Sequence, residues 1–183
     1  MRRKISRFLI IVGLLIAIIP QGLKYYSKQV EKNGIERFQE AIKEDKFQEK
    51  DYNIGDEIAI IKIKSLDLET VIVEGTDEED LKYYICHFEE TAMPGEYGNF
   101  CIAGHSSYWY NQVFKKLHNA KIDDEIEIET AKGSFTYKIN EIFDTEAENT
   151  SVLSQRMDKK EITLITCTDG GKKRLIVKGE IQE

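Results

Sequence analysis

Cys167 closes the segment 161–167 (EITLITC), and Arg174 opens the segment 174–181 (RLIVKGEI). Both are short, apolar and rich in β-branched residues, so both read as strands. Alternation along EITLITC puts Ile162, Leu164 and Thr166 on one face and Thr163, Ile165 and Cys167 on the other, with Cys167 at the strand's end. If the two strands form an antiparallel hairpin around the six-residue loop TDGGKK, Cys167 and Arg174 become cross-strand neighbours with Cβ atoms ~5 Å apart. A guanidinium is cationic at every working pH; it favours negative charge on a neighbouring sulfur and can donate to a developing oxyanion. His105 follows NFCIAG (99–104), a second short apolar run typical of a strand buried on both faces. Should these strands lie parallel, their carboxyl ends share one rim, and thiol, imidazole and guanidinium converge on a solvent-accessible site. Acyl transfer through a thiol needs that set: a nucleophile, an acid/base partner and an oxyanion donor. The plain alternatives are a loop-end cysteine beside an unrelated surface arginine, and a surface loop histidine.

Thr166 and Ser106, next in sequence to Cys167 and His105, are the substrate-binding candidates. His118, after Leu117 at an expected helix end, reads as a surface residue complementing a helix dipole. His87, beside Cys86, is a candidate to line the same cleft. Cys101 lies inside an apolar run and reads as a small buried hydrophobe, while Cys86 stays ambiguous. The histidines and cysteines lack the close paired spacing of zinc ligands, so no metal ligand is assigned. Acidic clusters at 78–80, 89–90 and 146–148 are candidates for calcium, but their loose spacing fits a solvated surface better than an oxygen cage. No other cofactor is expected.

The rest of the chain must hold these residues in place, and 183 residues suit one core. Residues 1–26 hold five basic side chains (Arg2, Arg3, Lys4, Arg7, Lys24) and no acid; the remainder carries 21 basic against 33 acidic, a balance of −12. Such a surface repels phosphate backbones, which argues against nucleic acid as a partner. Phe8 begins an unbroken run of 12 apolar or glycine residues, FLIIVGLLIAII, behind the basic cluster. That pattern is an export signal. PQGLKYY (20–26) offers no small-x-small cleavage site, and Tyr25 and Tyr26 suit a membrane interface, so an uncleaved anchor is expected with the N-terminus cytoplasmic and the remainder outside. Residues 27–53 are highly charged, with Val30, Ile35, Phe38 and Ile42 at loose helical spacing, and read as a helical stalk or linker.

From residue 54 to 183 the pattern changes to strands. Alternating or continuous apolar segments occur at 57–64, 70–74, 99–104, 124–130, 134–143, 161–167 and 174–181, with a capping-box helix expected over 77–84 from Thr76 and Glu79 and a short helix over 110–117. Seven or eight short strands with few helices predict an all-β fold, a closed or nearly closed barrel.

Several segments resemble the sortases, the Gram-positive surface transpeptidases: GEYGNFCIAGH (95–105), TLITC (163–167), RLIVKGE (174–180) and TAMPG (91–95). The resemblance covers roughly residues 57–182. It implies an eight-stranded barrel with His105, Cys167 and Arg174 in the catalytic positions. It also implies a two-step reaction in which Cys167 attacks the Thr carbonyl of an LPxTG-like sorting motif and an amine of a peptidoglycan precursor or a pilin resolves the thioester. The short 145–160 segment looks more like class A or class D than class B. Two other readings stand beside this one: a thiol hydrolase with the same site, and a noncatalytic, membrane-tethered binding barrel whose cysteine is structural.

Overall fold

A computed structural model of the chain describes residues 2–44, 52–106 and 113–181. Eight strands, β1 (Glu57–Ile63), β2 (Leu68–Glu74), β3 (Ile85–His87), β4 (Gly98–Ala103), β5 (Glu125–Thr130), β6 (Gly133–Glu146), β7 (Lys160–Thr168) and β8 (Lys173–Ile181), close into a barrel. Their order around it is β1-β2-β3-β4-β7-β8-β6-β5. β2 pairs with β3 and β4 with β7 in parallel, and the other neighbours are antiparallel.

Closure follows from the period-2 pattern, which sends one face of every strand into a shared interior. Ile61, Ile63, Ile72, Ile85, Phe100, Ile102, Ile126, Ile128, Tyr137, Ile139, Ile162, Leu164 and Val177 are at most 1% exposed and form that core. A second cluster lies on the outer face, where Ile165 and Ile176 pack under Val152, with Ala103 and Leu153 against them. The segment before β4 turns at Gly95, whose φ is +82° and whose N–H donates to Tyr137 Oη at 2.8 Å. A Cβ there would fall 2.1 Å from Phe135 Cε1. Gly95→Ala therefore meets both a left-handed backbone and the ring, and is expected to lower unfolding free energy by at least about 1–3 kcal/mol; a denaturant midpoint measures it.

The N-terminal helix α1 (Arg2–Lys43) runs unbroken for 42 residues through Pro20, about 63 Å at 1.5 Å per residue. It is the one helix among the described residues long and apolar enough to cross a membrane. Between Ile5 and Tyr26 its large apolar side chains stay 36–68% exposed. From Ser27 onward the same helix lies on the barrel. Ser27, Gly34 and Phe38 are buried and Val30, Glu31, Ile35 and Ile42 half-buried, a single helical stripe. Phe38 packs on Ile60 of β1 and Val71 of β2, flanked by Ile35, Ile42 and Tyr84. The segment read as a stalk is thus docked on the barrel wall up to Ile42, while residues 45–51 lie outside the described residues.

Two local expectations change. The helix expected over 77–84 shrinks to α2 (Glu78–Leu81), capped by Asp77 with no side-chain hydrogen bond. The Thr76–Glu79 box does not form, because Glu79 pairs with Lys82 instead and the chain must be extended again by Ile85. Of the helix expected over 110–117, residues 110–112 lie outside the described residues; 113–116 form turns and not a helix, and a single 3₁₀ turn follows at Leu117–Asn119.

Candidate active site

β7 and β8 pair so that Cys167 faces Arg174, one row beyond Thr166 and Leu175 and two beyond Ile165 and Ile176. β4 runs parallel to β7 with Ala103 level with Ile165. Ala103, Ile165 and Ile176 therefore form one row of the outer cluster. Two residues further along β7, and two residues back along antiparallel β8, Cys167 and Arg174 form the next row on the same face, and His105 follows two residues after Ala103. The register holds past the end of β4: Gly104 N–H donates to Ile165 O at 3.1 Å, and Thr166 Oγ1 donates to Gly104 O at 2.7 Å.

The residue before His105 has to be small. A Cβ on Gly104 would lie 2.9 Å from Phe114 Cδ2, so the ring packs directly on the backbone that carries the imidazole. Phe114 N–H donates back to His105 O at 3.1 Å. His105, Ser106, Cys167, Thr168, Asp169, Gly170 and Gly171 line a cleft of about 360 Å³. Its lip is the turn Asp169–Gly171, where φ is +47°, +64° and +92° in succession. Added Cβ atoms at Gly170 and Gly171 would meet nothing within 4 Å, so these glycines serve backbone conformation and not space.

Arg174 is half-buried and braces this lip, its Nη1 donating to Gly171 O at 2.8 Å and Lys173 O at 3.2 Å. His105 and Cys167 are both half-exposed at the cleft. Burial disfavours the imidazolium and holds His105 below its ordinary value of 6.5. The other thiols are of a different kind. Cys86 and Cys101 are free but fully buried, and burial pushes each up to about 12, so neither supplies a thiolate near neutrality.

Thr166 and Ser106 part company. Ser106 lines the cleft, whereas Thr166 is 4% exposed, with its hydroxyl held by Gly104 O. His87 is not in the cleft at all. It is 1% exposed, with Nδ1 2.9 Å from Glu74 Oε2 and Nε2 2.9 Å from Thr91 Oγ1. Thr91 Oγ1 also donates to Phe88 O at 2.7 Å and accepts from Cys101 N–H at 3.2 Å. This buried network ties the 88–95 segment to β3 and β4. Sequence reasoning missed it because partners 4, 10 and 13 residues apart meet only through the fold. His118 is exposed, and its Nδ1 donates to Lys115 O at 2.7 Å. Among the described residues no group of three or more His, Cys, Asp or Glu side chains is gathered as for a metal.

A family model described as the sortase domain matches residues 61–182. Over 113 residues the chain is 29% identical to sortase D of Bacillus subtilis, covering 62% of this chain and 55% of that protein. It is 26% identical over 128 residues to sortase A of Streptococcus agalactiae, covering 67% and 52%. Among solved structures, a sortase D5 transpeptidase from Clostridium perfringens is 43% identical, with a TM-score of 0.78 over 85% of this chain and 99% of that one. A sortase E mutant from Streptomyces avermitilis is 29% identical, with a TM-score of 0.65 over 72% and 91%. An eight-stranded barrel of this topology, matched by that family model over two thirds of its length, places the chain in the sortase family. The chain spans about half the length of the curated relatives it matches.

Proposed function

We propose that the protein is a cysteine transpeptidase that cleaves an LPxTG-like sorting motif and joins the acyl fragment to an amine of a peptidoglycan precursor or a pilin. One observation supports this reading: Cys167 pairs with Arg174 across the β7–β8 hairpin and lines an open cleft together with His105. The likeness to a solved transpeptidase over 99% of that chain supports it.

The residues divide the work as follows. Neutral His105 takes the proton of the Cys167 thiol as the sulfur attacks the Thr carbonyl carbon, and the carbonyl π electrons move to oxygen. Arg174 donates to that oxyanion. Collapse restores the carbonyl and breaks the C–N bond, the departing amine taking its proton from His105, which leaves a thioester on Cys167. An incoming amine then loses a proton to His105 as it attacks the thioester carbon, and expulsion of the Cys167 sulfur reverses the sequence. Ser106 contacts substrate from the cleft wall. Thr166 acts one step back, fixing the Gly104 carbonyl and with it the approach of His105. The apolar part of α1 anchors the enzyme in the cell membrane in a single pass, with the N-terminus cytoplasmic and the barrel outside.

A screen of LPxTG-type peptides against defined amine acceptors tests the activity: the expected product carries the new amide bond, and a folded protein that cleaves no peptide of this type would refute it. The depressed His105 also sets a pH dependence. A histidine held below 6.5 is mostly neutral above pH 6.5, so the acid limb of kcat/KM should be centred below pH 6.5. An acid limb centred above 6.5 would contradict a neutral resting base. Stability has the same sign: the depressed value favours the fold above 6.5, and that contribution is lost as pH falls through the folded value.

A further inference from the structure

β4 outruns its neighbour on one side. β3 pairs with it only at Ala103 and Ile102, and Phe88 N–H adds one more bond to Cys101 O at 3.0 Å. Nearer the start of β4, the backbone N–H and C=O of Asn99 find no strand on that side and need other partners. Gln155, from the loop between β6 and β7, supplies both with its side chain. Its Oε1 accepts from Asn99 N–H at 2.9 Å, and its Nε2 donates to Asn99 O at 3.0 Å. The same amide reaches two further segments: Oε1 accepts from Ala92 N–H at 3.3 Å, and Nε2 donates to Leu153 O at 2.9 Å. Turned round, it would set its NH2 against two N–H groups and its oxygen against two carbonyls, so the partners fix its orientation.

The seat is shaped for this contact. Gly98 has a φ of +129°, and a Cβ on it would lie 2.7 Å from Gln155 Oε1 and 2.7 Å from Ala92 Cβ. Asn99, 0% exposed, braces the same loop from beneath. Its Nδ2 donates to Val152 O at 3.0 Å and Ser154 O at 3.3 Å, and its Oδ1 accepts from Thr163 Oγ1 at 2.8 Å. Two segments are thereby tied to one place on β4: residues 88–92, which lie beside it, and the 3₁₀ turn Thr150–Leu153, whose Val152 sits over β7 and β8. What they frame lies next to the catalytic residues. Val152 covers Ile165 and Ile176, while Phe88, Ala103 and Leu153 of the same cluster stay half-buried. Ala103 is level with Ile165, two residues short of Cys167, ~7 Å along the strand.

We propose that Gln155 is a positioning residue for the peptide: it holds residues 88–92 and the Thr150–Leu153 turn at a set separation before substrate arrives, so that the apolar half of the motif meets a preformed surface. This rests on the transpeptidase reading above. In an LPxTG motif the proline stands two residues before the Thr, ~7 Å in an extended chain. With the Thr carbonyl at Cys167, the Leu-Pro pair therefore reaches the level of Ala103, where Phe88 and Leu153 leave apolar surface open. The cleft beyond Cys167, lined by Ser106, Thr168 and Asp169, is polar and offers that pair nothing comparable. A loop free to move would have to be ordered at each binding event, and a preset one avoids that entropy.

Steady-state kinetics and amide hydrogen exchange on the full chain in detergent micelles test this. Gln155→Met keeps the length of the side chain and removes its four hydrogen bonds, and because Gln155 is itself exposed the core is left intact. KM for an LPxTG-type peptide should rise by about fivefold to tenfold with kcat within about twofold, the pattern of lost binding with unaltered chemistry. Single-hit alkylation of Cys167 should keep its rate, and exchange at Asn99 and Ala92 N–H should quicken by about tenfold. Gln155→Glu keeps the acceptor but sets a second oxygen against Asn99 O and Leu153 O, so its KM should rise at least as far. Met157→Gln, two residues on and 73% exposed, should change neither constant. An unchanged KM in Gln155→Met, or a fall in kcat alone, overturns the proposal, since a merely structural role reduces the number of active molecules and leaves KM as it was. If the wild-type chain cleaves no LPxTG-type peptide, the transpeptidase reading fails and the peptide role falls with it. Exchange at Asn99 and Ala92 then still decides whether Gln155 ties the two segments together.

Discussion

A Cys167→Ala chain is expected to fold to the same barrel and to lose turnover by about a million-fold, the scale seen when the nucleophile of a catalytic unit is removed. The fold should survive because Cys167 is half-exposed at a strand end; the methyl that replaces its thiol leaves little cavity, and the row beneath it, Ile165 and Ile176, is intact. Cys86→Ala and Cys101→Ala supply the control in the opposite sense. Both thiols are fully buried and pushed up to about 12, so each variant should lose some stability to its small cavity and keep the wild-type rate per folded molecule. Peptide turnover alongside far-ultraviolet circular dichroism separates the two effects. Inactivity of a folded Cys86→Ala or Cys101→Ala chain would mean that the wrong sulfur has been assigned.

The second large effect is at Arg174, where charge and hydrogen-bond geometry can be told apart. Arg174→Lys keeps the cation and replaces the planar fork by a single ammonium. The fork has two tasks: Nη1 holds the lip through Gly171 O and Lys173 O, and the remaining N–H groups are the donors proposed for the oxyanion. A lysine cannot do both in that geometry. Loss of one oxyanion donor typically costs ~100-fold to 1000-fold in turnover, so Arg174→Lys should lose at least ~100-fold. Single-hit alkylation of Cys167, which develops no oxyanion, should stay near the wild-type rate. Near-normal transpeptidation would show that charge alone suffices, and a parallel loss of alkylation and turnover would place the effect of Arg174 on the sulfur itself.

Local patterning raised the row of three as a condition on strand pairing, and the resemblance to the sortases selected it. The period-2 alternation of EITLITC, the apolar run NFCIAG and the short TDGGKK turn each act over fewer than ten residues, and the observed Cys167–Arg174 pairing and parallel β4–β7 alignment meet the conditions set on those strands. The barrel was legible for the same reason. What the sequence hid is what depends on partners far along the chain. The docking of α1 turns on Phe38 meeting Ile60 and Val71, and the sparse apolar residues of that segment look like a free stalk until the barrel wall is present to receive them. Thr166 lies next to Cys167 in sequence, yet alternation sends it inward to Gly104 O, so adjacency misplaced it as a substrate contact. His87 was drawn toward the cleft by its neighbour Cys86, while its true partners, Glu74 and Thr91, are set by the β2–β3 register and the following turn. At Thr76 a capping pattern was present and unused, since a one-turn helix ahead of β3 leaves no second turn to stabilise.

The central claim is that Cys167 carries the acyl group. Mixing the enzyme with an LPxTG-type peptide in the absence of an amine acceptor, quenching in acid within the first turnover and mapping the adduct by mass spectrometry tests it most directly. The protein should gain the mass of the acyl fragment up to and including Thr, less one water. That mass should sit on the proteolytic fragment containing Cys167 and disappear on adding hydroxylamine, which cleaves thioesters. An adduct on another residue, or peptide cleavage with no covalent species at any quench time, would contradict the account.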